Sequence, residues 1–458
     1  MTTGLNDTIV CKFGGSSVAD ADQIVKVRDI VAADERRRHI VVSAPGRRHA
    51  HEEKVTDHLL NIATHGAHFA ERRPPIAVED STKAVNTRFG EILVGLDLPS
   101  EPMLQELDRD LATDLEGAAR VAFLASRGEH YSARIVAAFL TASEMPASAR
   151  LPEDFGLLVD GPMLQARVHP DTSERIAALD VTDELAVIPG YYGVQEDGTV
   201  AVFSRGGSDL TGGEVAAAVN AGSYENWTDV SGVFEADPRV LPEARAIPRL
   251  TFKEIRLLAS KGFNVFHFDA MVNCRRRGVP IHIRNTNDPE AAGTRILNER
   301  VPEEGVVGIA RLDDVGYIYL EKDDLSMEVG FTASLLRIFQ DFGINTHHYP
   351  TDRDDIAVLV DQTDLKGSIN DLRRAIDETL QPDAMEVVYN LSILTPVGLG
   401  LKHNSSPVAD ALQSLSERNI ALEMFHQSPS QLCFHLGVSG AAADVAYRAL
   451  YEALIGGD

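Results

Sequence analysis

Ile9-Val10-Cys11-Lys12-Phe13-Gly14-Gly15-Ser16-Ser17, close to the start of the chain, decides the fold. A short apolar run ends in a lysine and two glycines, and a helical pattern begins near Asp20. That order is a strand, a tight turn and a helix N-terminus. Backbone N–H groups at such a turn converge on an anion, and the helix end favours negative charge. Lys12 adds a full positive charge within reach of the same anion. The stretch reads as a phosphate cradle suited to phosphoryl transfer. It is not a P-loop: G-x-x-x-x-G-K-[ST] occurs nowhere in the chain, and no G-x-G-x-x-G follows a strand.

A lysine beside two glycines is, alone, a common surface turn. A second glycine signature gives it weight. Phe203-Ser204-Arg205-Gly206-Gly207-Ser208-Asp209 follows a strand pattern over 199–203 and opens a helical run over 208–220. Over the first ~300 residues, strand and helix patterns alternate. Residues 41–46 read as a strand ending in a turn, 185–189 as a buried strand and 280–284 as another strand. Asp197-Gly198 between 190–194 and 199–203 predicts a hairpin with a type I′ turn. Alternation of this kind predicts an α/β domain over 1–300, a largely parallel sheet with helices on both faces. Ligands then bind at the carboxyl ends of the strands, where both glycine signatures lie.

A boundary falls near Val301-Pro302-Glu303-Glu304-Gly305. Beyond it the pattern becomes strand (315–321), helix (331–342), strand (344–348), strand (356–360) and helix (365–380). It then repeats as strand (387–394), helix (407–419), strand (420–425), strand (432–437) and helix (441–455). This predicts two α+β repeats, over 301–382 and 383–458.

The chain has 458 residues, 44% of them hydrophobic, which suffices for several cores. No apolar run reaches the length of a membrane span, and no basic region precedes an apolar stretch at the N-terminus. Cys11, Cys274 and Cys433 are too widely separated to predict a disulfide framework, so a reducing cytoplasm is expected. Net charge is −26, from 69 acidic and 43 basic residues, only nine of the latter being lysine. Such a surface repels nucleic acid and anionic membranes. It fits either an acidic, arginine-favouring protein or one adapted to high salt, where screening weakens self-repulsion. The fifteen histidines include His347-His348 and the group His49, His51 and His58. With no second ligand type at binding spacing nearby, they read as surface or loop residues, and no protein metal site is expected.

A third motif joins the two glycine signatures: Asn226-Trp227-Thr228-Asp229-Val230-Ser231-Gly232-Val233-Phe234, then Ala236-Asp237-Pro238-Arg239. Together these residues resemble the aspartokinases, members of the amino acid kinase family. Family patterns look like K-F-G-G-[ST]-S, R-G-G-S-D and T-D-V-x-G-[VIF]-x-x-x-D-P-R, in this order and at similar spacing. The resemblance implies an amino acid kinase-like fold followed by two ferredoxin-like ACT domains. It also implies the reaction of ATP with L-aspartate to give 4-phospho-L-aspartate, with Mg²⁺ arriving on the nucleotide, mostly water-bound. An amino-acid effector such as lysine or threonine, and a homodimer or higher assembly, are implied as well.

The same resemblance supplies roles. Lys12 is expected to touch the transferring phosphoryl group, with Phe13, Gly14, Gly15 and Ser16 around it. Arg205, Gly206, Gly207 and Ser208 form a second cradle, with Asp209 beside it as a helix cap. Thr228, Asp229, Phe234 and Arg239 match nucleotide contacts, and Lys261 and Asn264 fall on the stretch that completes the nucleotide pocket. Many relatives have lysine where Asn264 stands, so a phosphate partner is missing there. For aspartate, Ser43, Thr56 and Glu129 match substrate contacts, Glu129 for the ammonium group, with Arg127-Gly128-Glu129 read as opening a helix. The family segment F-G-R-A-E-P-D has a faint echo in residues 165–171. It would give Arg167 for the α-carboxylate of aspartate and Asp171 for orienting Lys12. Met327, Gly330, Phe331 and Thr332 are the effector candidates. Another amino acid kinase, or a non-catalytic amino-acid sensor, are the rival readings. Asn264 and the eroded segment around Arg167 favour the sensor.

Overall fold

Ile9–Phe13 is a strand buried along its whole length. In the computed structural model it sits inside an eight-stranded sheet. The structure describes residues 5–179, 181–204, 206–259, 268–301 and 305–456. The sheet runs, edge to edge, Arg249–Thr251, Thr294–Leu297, Ile281–Asn285, Ser223–Thr228, Ile9–Phe13, Arg37–Val42, Leu185–Pro189 and Ala147–Ala149. Neighbours are parallel except Ile281–Asn285 with Thr294–Leu297. The largely parallel sheet expected from the sequence is therefore present.

Strand alternation decides which side chains go where. Ile9, Cys11 and Phe13 join a core with residues of the helices Ala21–Ala32, Val78–Gly95 and Gly117–Ala142. Val10 and Lys12 turn to the opposite face, where the helix Gly207–Ala218 packs. Asp20 caps the first helix by accepting from Gln23 N at 2.9 Å. Beneath the sheet centre, buried Glu225 accepts from Arg37 Nε (2.9 Å), Arg284 Nη1 (3.2 Å) and Trp227 Nε1 (3.0 Å). Burial works against its charge, but these donors outweigh it and hold the carboxyl below its ordinary range.

Three local expectations need correction. The hairpin Tyr192–Val194/Val200–Val202 has a longer loop than a type I′ turn. Gly198 alone among its loop residues has a positive φ (83°), and Gln195 N bonds Thr199 O. A type I′ turn requires positive φ at both central residues. The run 365–380 is two helices, Gln362–Leu365 and Ile369–Leu380, separated at Gly367 (φ 92°). Arg127-Gly128-Glu129 opens no helix: it lies in the middle of Gly117–Ala142.

By its contacts, the chain divides into two units, and the segment Phe234–Arg245 groups with the C-terminal part. That second unit holds a six-stranded antiparallel sheet in the order Thr346–His348, Asp355–Asp361, Gly308–Glu321, Ala384–Val397, Phe434–Ser439, Met424–Gln427. Each repeat is strand-helix-strand-strand-helix, as the pattern predicts, although the strand expected at 420–425 starts only at Met424. Phe331, Leu335 and Ile376 lie in one core. Ala411, Tyr447 and Leu450 lie in another, joined by Ala236, Leu241 and Ala244. No described helix is long and apolar enough to cross a membrane.

Candidate active site

Lys12 is the last residue but one of its strand and is only 8% exposed. Strand register sets Lys12 against Asn226 on the neighbouring strand. The Lys12 ammonium lies 2.5 Å from Asp209 Oδ1, and Asp209 also accepts from Asn226 Nδ2 at 3.1 Å. The lysine is thus aimed by a carboxylate from the start of the helix Gly207–Ala218. The sequence reading gives this task to Asp171, and the structure corrects it. Asp171 is 70% exposed and lies 3.8 Å from His169. Nor does Asp209 cap its helix: the N-cap is Gly206 (φ 76°), without a side-chain bond.

After Lys12 the chain turns sharply. Gly14 N donates to Trp227 O (3.0 Å), and Ser17 N donates to Gly14 O (2.9 Å). Gly15 and Ser16 open the short 3₁₀ turn Gly15–Val18, where backbone donors lack intrahelical partners. The loop after Val42 lies directly on this turn: Gly46 N bonds Gly15 O at 2.8 Å. A Cβ on Gly46 would come within 2.6 Å of Gly15 C, so only glycine permits that approach.

The second glycine turn is equally tight. A Cβ on Gly190 would sit 2.6 Å from Ser208 Cβ and 2.7 Å from Ser208 Cα. Beside it, Tyr191 holds a left-handed backbone (φ 75°), rare for an aromatic residue. It is fixed by Thr211 Oγ1, which accepts from its N–H at 3.2 Å, and by Phe203 N, which donates to its carbonyl at 2.9 Å.

Both turns open on one cleft of about 1020 Å³, large for a small-molecule site. Lys12, Gly15, Ser43, Thr56, Glu129, Gly206, Gly207, Ser208, Asp209 and Asp229 line it, as do Arg47, Lys54 and Tyr191, which the sequence reading did not single out. No histidine is among these lining residues, so they offer no Ser–His relay. Their chemistry is that of cations, backbone donors and carboxylates, which suits binding and charge neutralisation of phosphates.

Glu129 is the most unusual group there. It is 5% exposed, and its Oε2 has no hydrogen-bond partner. Burial pushes its carboxyl up to about 8, against the pull of the Ala44 N–H and the Lys12 charge. A buried carboxyl with an unused oxygen facing a cleft is a place for a cation. Its position mid-helix removes any role in complementing a helix N-terminus.

The remaining candidates divide. Thr228 Oγ1 bonds Asp229 Oδ1 at 3.2 Å at the end of the strand Ser223–Thr228. Exposed Arg167, on the short strand Arg167–Val168, is not among the cleft-lining residues, and neither is Asp171. Three matches in seven residues were too few to place that segment. Phe234 and Arg239 belong to the second unit, where Arg239 is 88% exposed and pairs with Asp237 at 2.7 Å. Arg205, Lys261 and Asn264 lie outside the described residues. Gly330 (φ 92°) is the N-cap of the helix Phe331–Asp341, with Met327 exposed before it.

Residues 7–285 match the model of the amino acid kinase family. The chain is 35% identical to aspartokinase 3 of Bacillus subtilis, covering 98% of this chain and 99% of that protein. It superposes on the crystal structure of Clostridium acetobutylicum aspartate kinase with a TM-score of 0.85, at 30% identity, over 98% of this chain and 100% of that one. The fold is shared with Escherichia coli aspartokinase III, solved with aspartate and ADP (TM-score 0.76, 23% identity, 97% and 99% coverage). The chain belongs to the amino acid kinase family and, within it, to the aspartokinases.

Proposed function

We propose that this protein is an aspartate kinase, transferring the γ-phosphate of ATP to the β-carboxylate of L-aspartate. The observation that carries the proposal is one cleft with the Lys12–Asp209 pair, two glycine turns and the unpartnered carboxyl of Glu129. A β-carboxylate is ionised at neutral pH, with a pKa near 3.9, and attacks without a general base. The lining residues, with no histidine among them, therefore suffice. What the reaction needs is alignment of two anions and neutralisation of charge on the group in transit. Lys12 supplies that charge, with Asp209 holding it in place. The N–H groups near Gly15, Gly207 and Ser208 receive phosphate oxygens. Glu129 receives the α-ammonium of aspartate. Arg47 and Lys54, both lining the cleft, are the cations on hand for the α-carboxylate, in place of Arg167. Asp229, which lines the same cleft, would help to hold Mg²⁺ carried on the nucleotide's phosphates, and the ion would supply further charge neutralisation there.

The repeats 301–382 and 383–458 act in this reading as paired ACT domains. They take lysine or threonine near Met327, Gly330, Phe331 and Thr332 and assemble the chain as a homodimer or higher. The protein would work in the cytoplasm at the first step of aspartate-family amino acid synthesis. The test is ADP formation from Mg-ATP with aspartate, glutamate, N-acetylglutamate or carbamate offered singly. Turnover with aspartate alone supports the proposal. Turnover with another acceptor, or with none, transfers the chain to one of the rival readings.

A further inference from the structure

The C-terminal sheet carries a histidine cluster that the active-site reading leaves unused. His348 ends the strand Thr346–His348, His426 lies on Met424–Gln427 and His435 on Phe434–Ser439. Linear spacing conceals the group, and His348 is a strand residue here, not a loop residue. His426 and His435 are direct cross-strand partners, with ring centroids 5.8 Å apart. The ring of His348 packs 5.1 Å from the first and 4.4 Å from the second. One ring nitrogen from each residue lies within 4.8 Å of those of the other two.

Three features distinguish this from chance stacking. His435 is 4% exposed, and its Nδ1 is held by the Thr395 hydroxyl at 2.9 Å. That partner fixes the ring orientation, as partners of ligating histidines do elsewhere. His426 Nδ1 is buried and has no hydrogen-bond partner. Cys433 Sγ, itself buried, lies 3.9 Å from His435 Nε2. Imidazole nitrogens and a thiol are the ligands preferred by borderline divalent ions, not by Mg²⁺.

We propose that His348, His426 and His435 form a binding site for a borderline transition-metal ion of the Zn²⁺ or Co²⁺ type. The ion would tie a strand of the first repeat to two of the second. Tetrahedral coordination at about 2.0–2.1 Å sets ligand nitrogens about 3.3 Å apart. The ring nitrogens must therefore draw together by up to about 1.5 Å, within reach of side-chain rotation for the half-buried His348 and His426. Water or Cys433 completes the shell.

The test uses the full chain stripped with chelator and titrated with Zn²⁺ alone by calorimetry, with thermal unfolding followed in parallel. The expected result is one tight site per chain and a rise in Tm with Zn²⁺. His348→Gln and His426→Gln should each weaken binding at least ~10-fold and abolish the Tm rise, with an unchanged far-UV spectrum. His49→Gln, in the separate N-terminal histidine group, should bind like wild type. No Zn²⁺ binding by wild type, or binding by both variants as tight as by wild type, would overturn the proposal.

Discussion

Glu129 gives the sharpest quantitative prediction. Its carboxyl, pushed by burial from 4.5 to about 8, is about 90% protonated at pH 7. Holding it ionised at pH 7 costs about 1 kcal/mol. The α-ammonium of aspartate, if it docks on the unused Oε2, offsets that cost and drives the proton off. Binding should therefore release about 0.9 proton per site at pH 7 and close to none at pH 9. Calorimetric titration with aspartate at each pH, in buffers of different ionisation enthalpy, reads this number directly from the slope. Glu129→Gln should release none, raise the KM for aspartate and leave the KM for ATP nearly unchanged. The sign for stability follows from the same shift. Protonated Glu129 contributes to the unliganded fold fully below pH 4.5, and that contribution is lost as pH rises through about 8. Proton release by the Gln variant equal to that of wild type would refute the assignment.

Lys12→Ala should lower kcat by ~10²-fold or more, measured by steady-state ADP formation, because its charge acts on the transferring group. Asp209→Asn should lower kcat strongly by freeing Lys12, whereas Asp171→Ala should stay within about threefold of wild type, since one carboxylate holds the lysine and the other is exposed. Gly190→Ala forces a Cβ against Ser208 and should displace the start of the helix Gly207–Ala218, costing about 1–3 kcal/mol and raising the KM for ATP. A Cβ at Gly330 meets nothing within 4 Å, but its φ of 92° disfavours any side chain. Gly330→Val should abolish inhibition by lysine or threonine while basal kcat persists, as dose–response curves will show.

How much of this was legible in the sequence depends on how local each signal is. The glycine turns, the parallel sheet and the two C-terminal repeats rest on short-range patterns, and each is present in the structure. Lys12 and Asp209 meet only because parallel pairing sets Lys12 against Asn226, which itself bonds Asp209. Nothing in linear spacing points to that pair, and a weak motif drew the role toward Asp171 instead. Arg127-Gly128-Glu129 looks like a helix start because glycine disfavours helix interiors. Gly128 is tolerated mid-helix because Ala44 packs against it, leaving no room for a side chain: a Cβ would lie 2.6 Å from Ala44 Cβ. That close approach also brings Glu129 to the Ala44 N–H. The histidine cluster draws on three strands from two repeats and has no sequence signature at all.

The central claim is that the cleft phosphorylates the β-carboxylate of aspartate, and the product tests it most directly. With Mg-ATP, L-aspartate and hydroxylamine as a trap, an acyl phosphate is captured as its hydroxamate and identified by mass spectrometry. The account predicts aspartate β-hydroxamate formed one for one with ADP, and loss of both in Lys12→Ala. ADP without hydroxamate, or hydroxamate formation undiminished in Lys12→Ala, would contradict it.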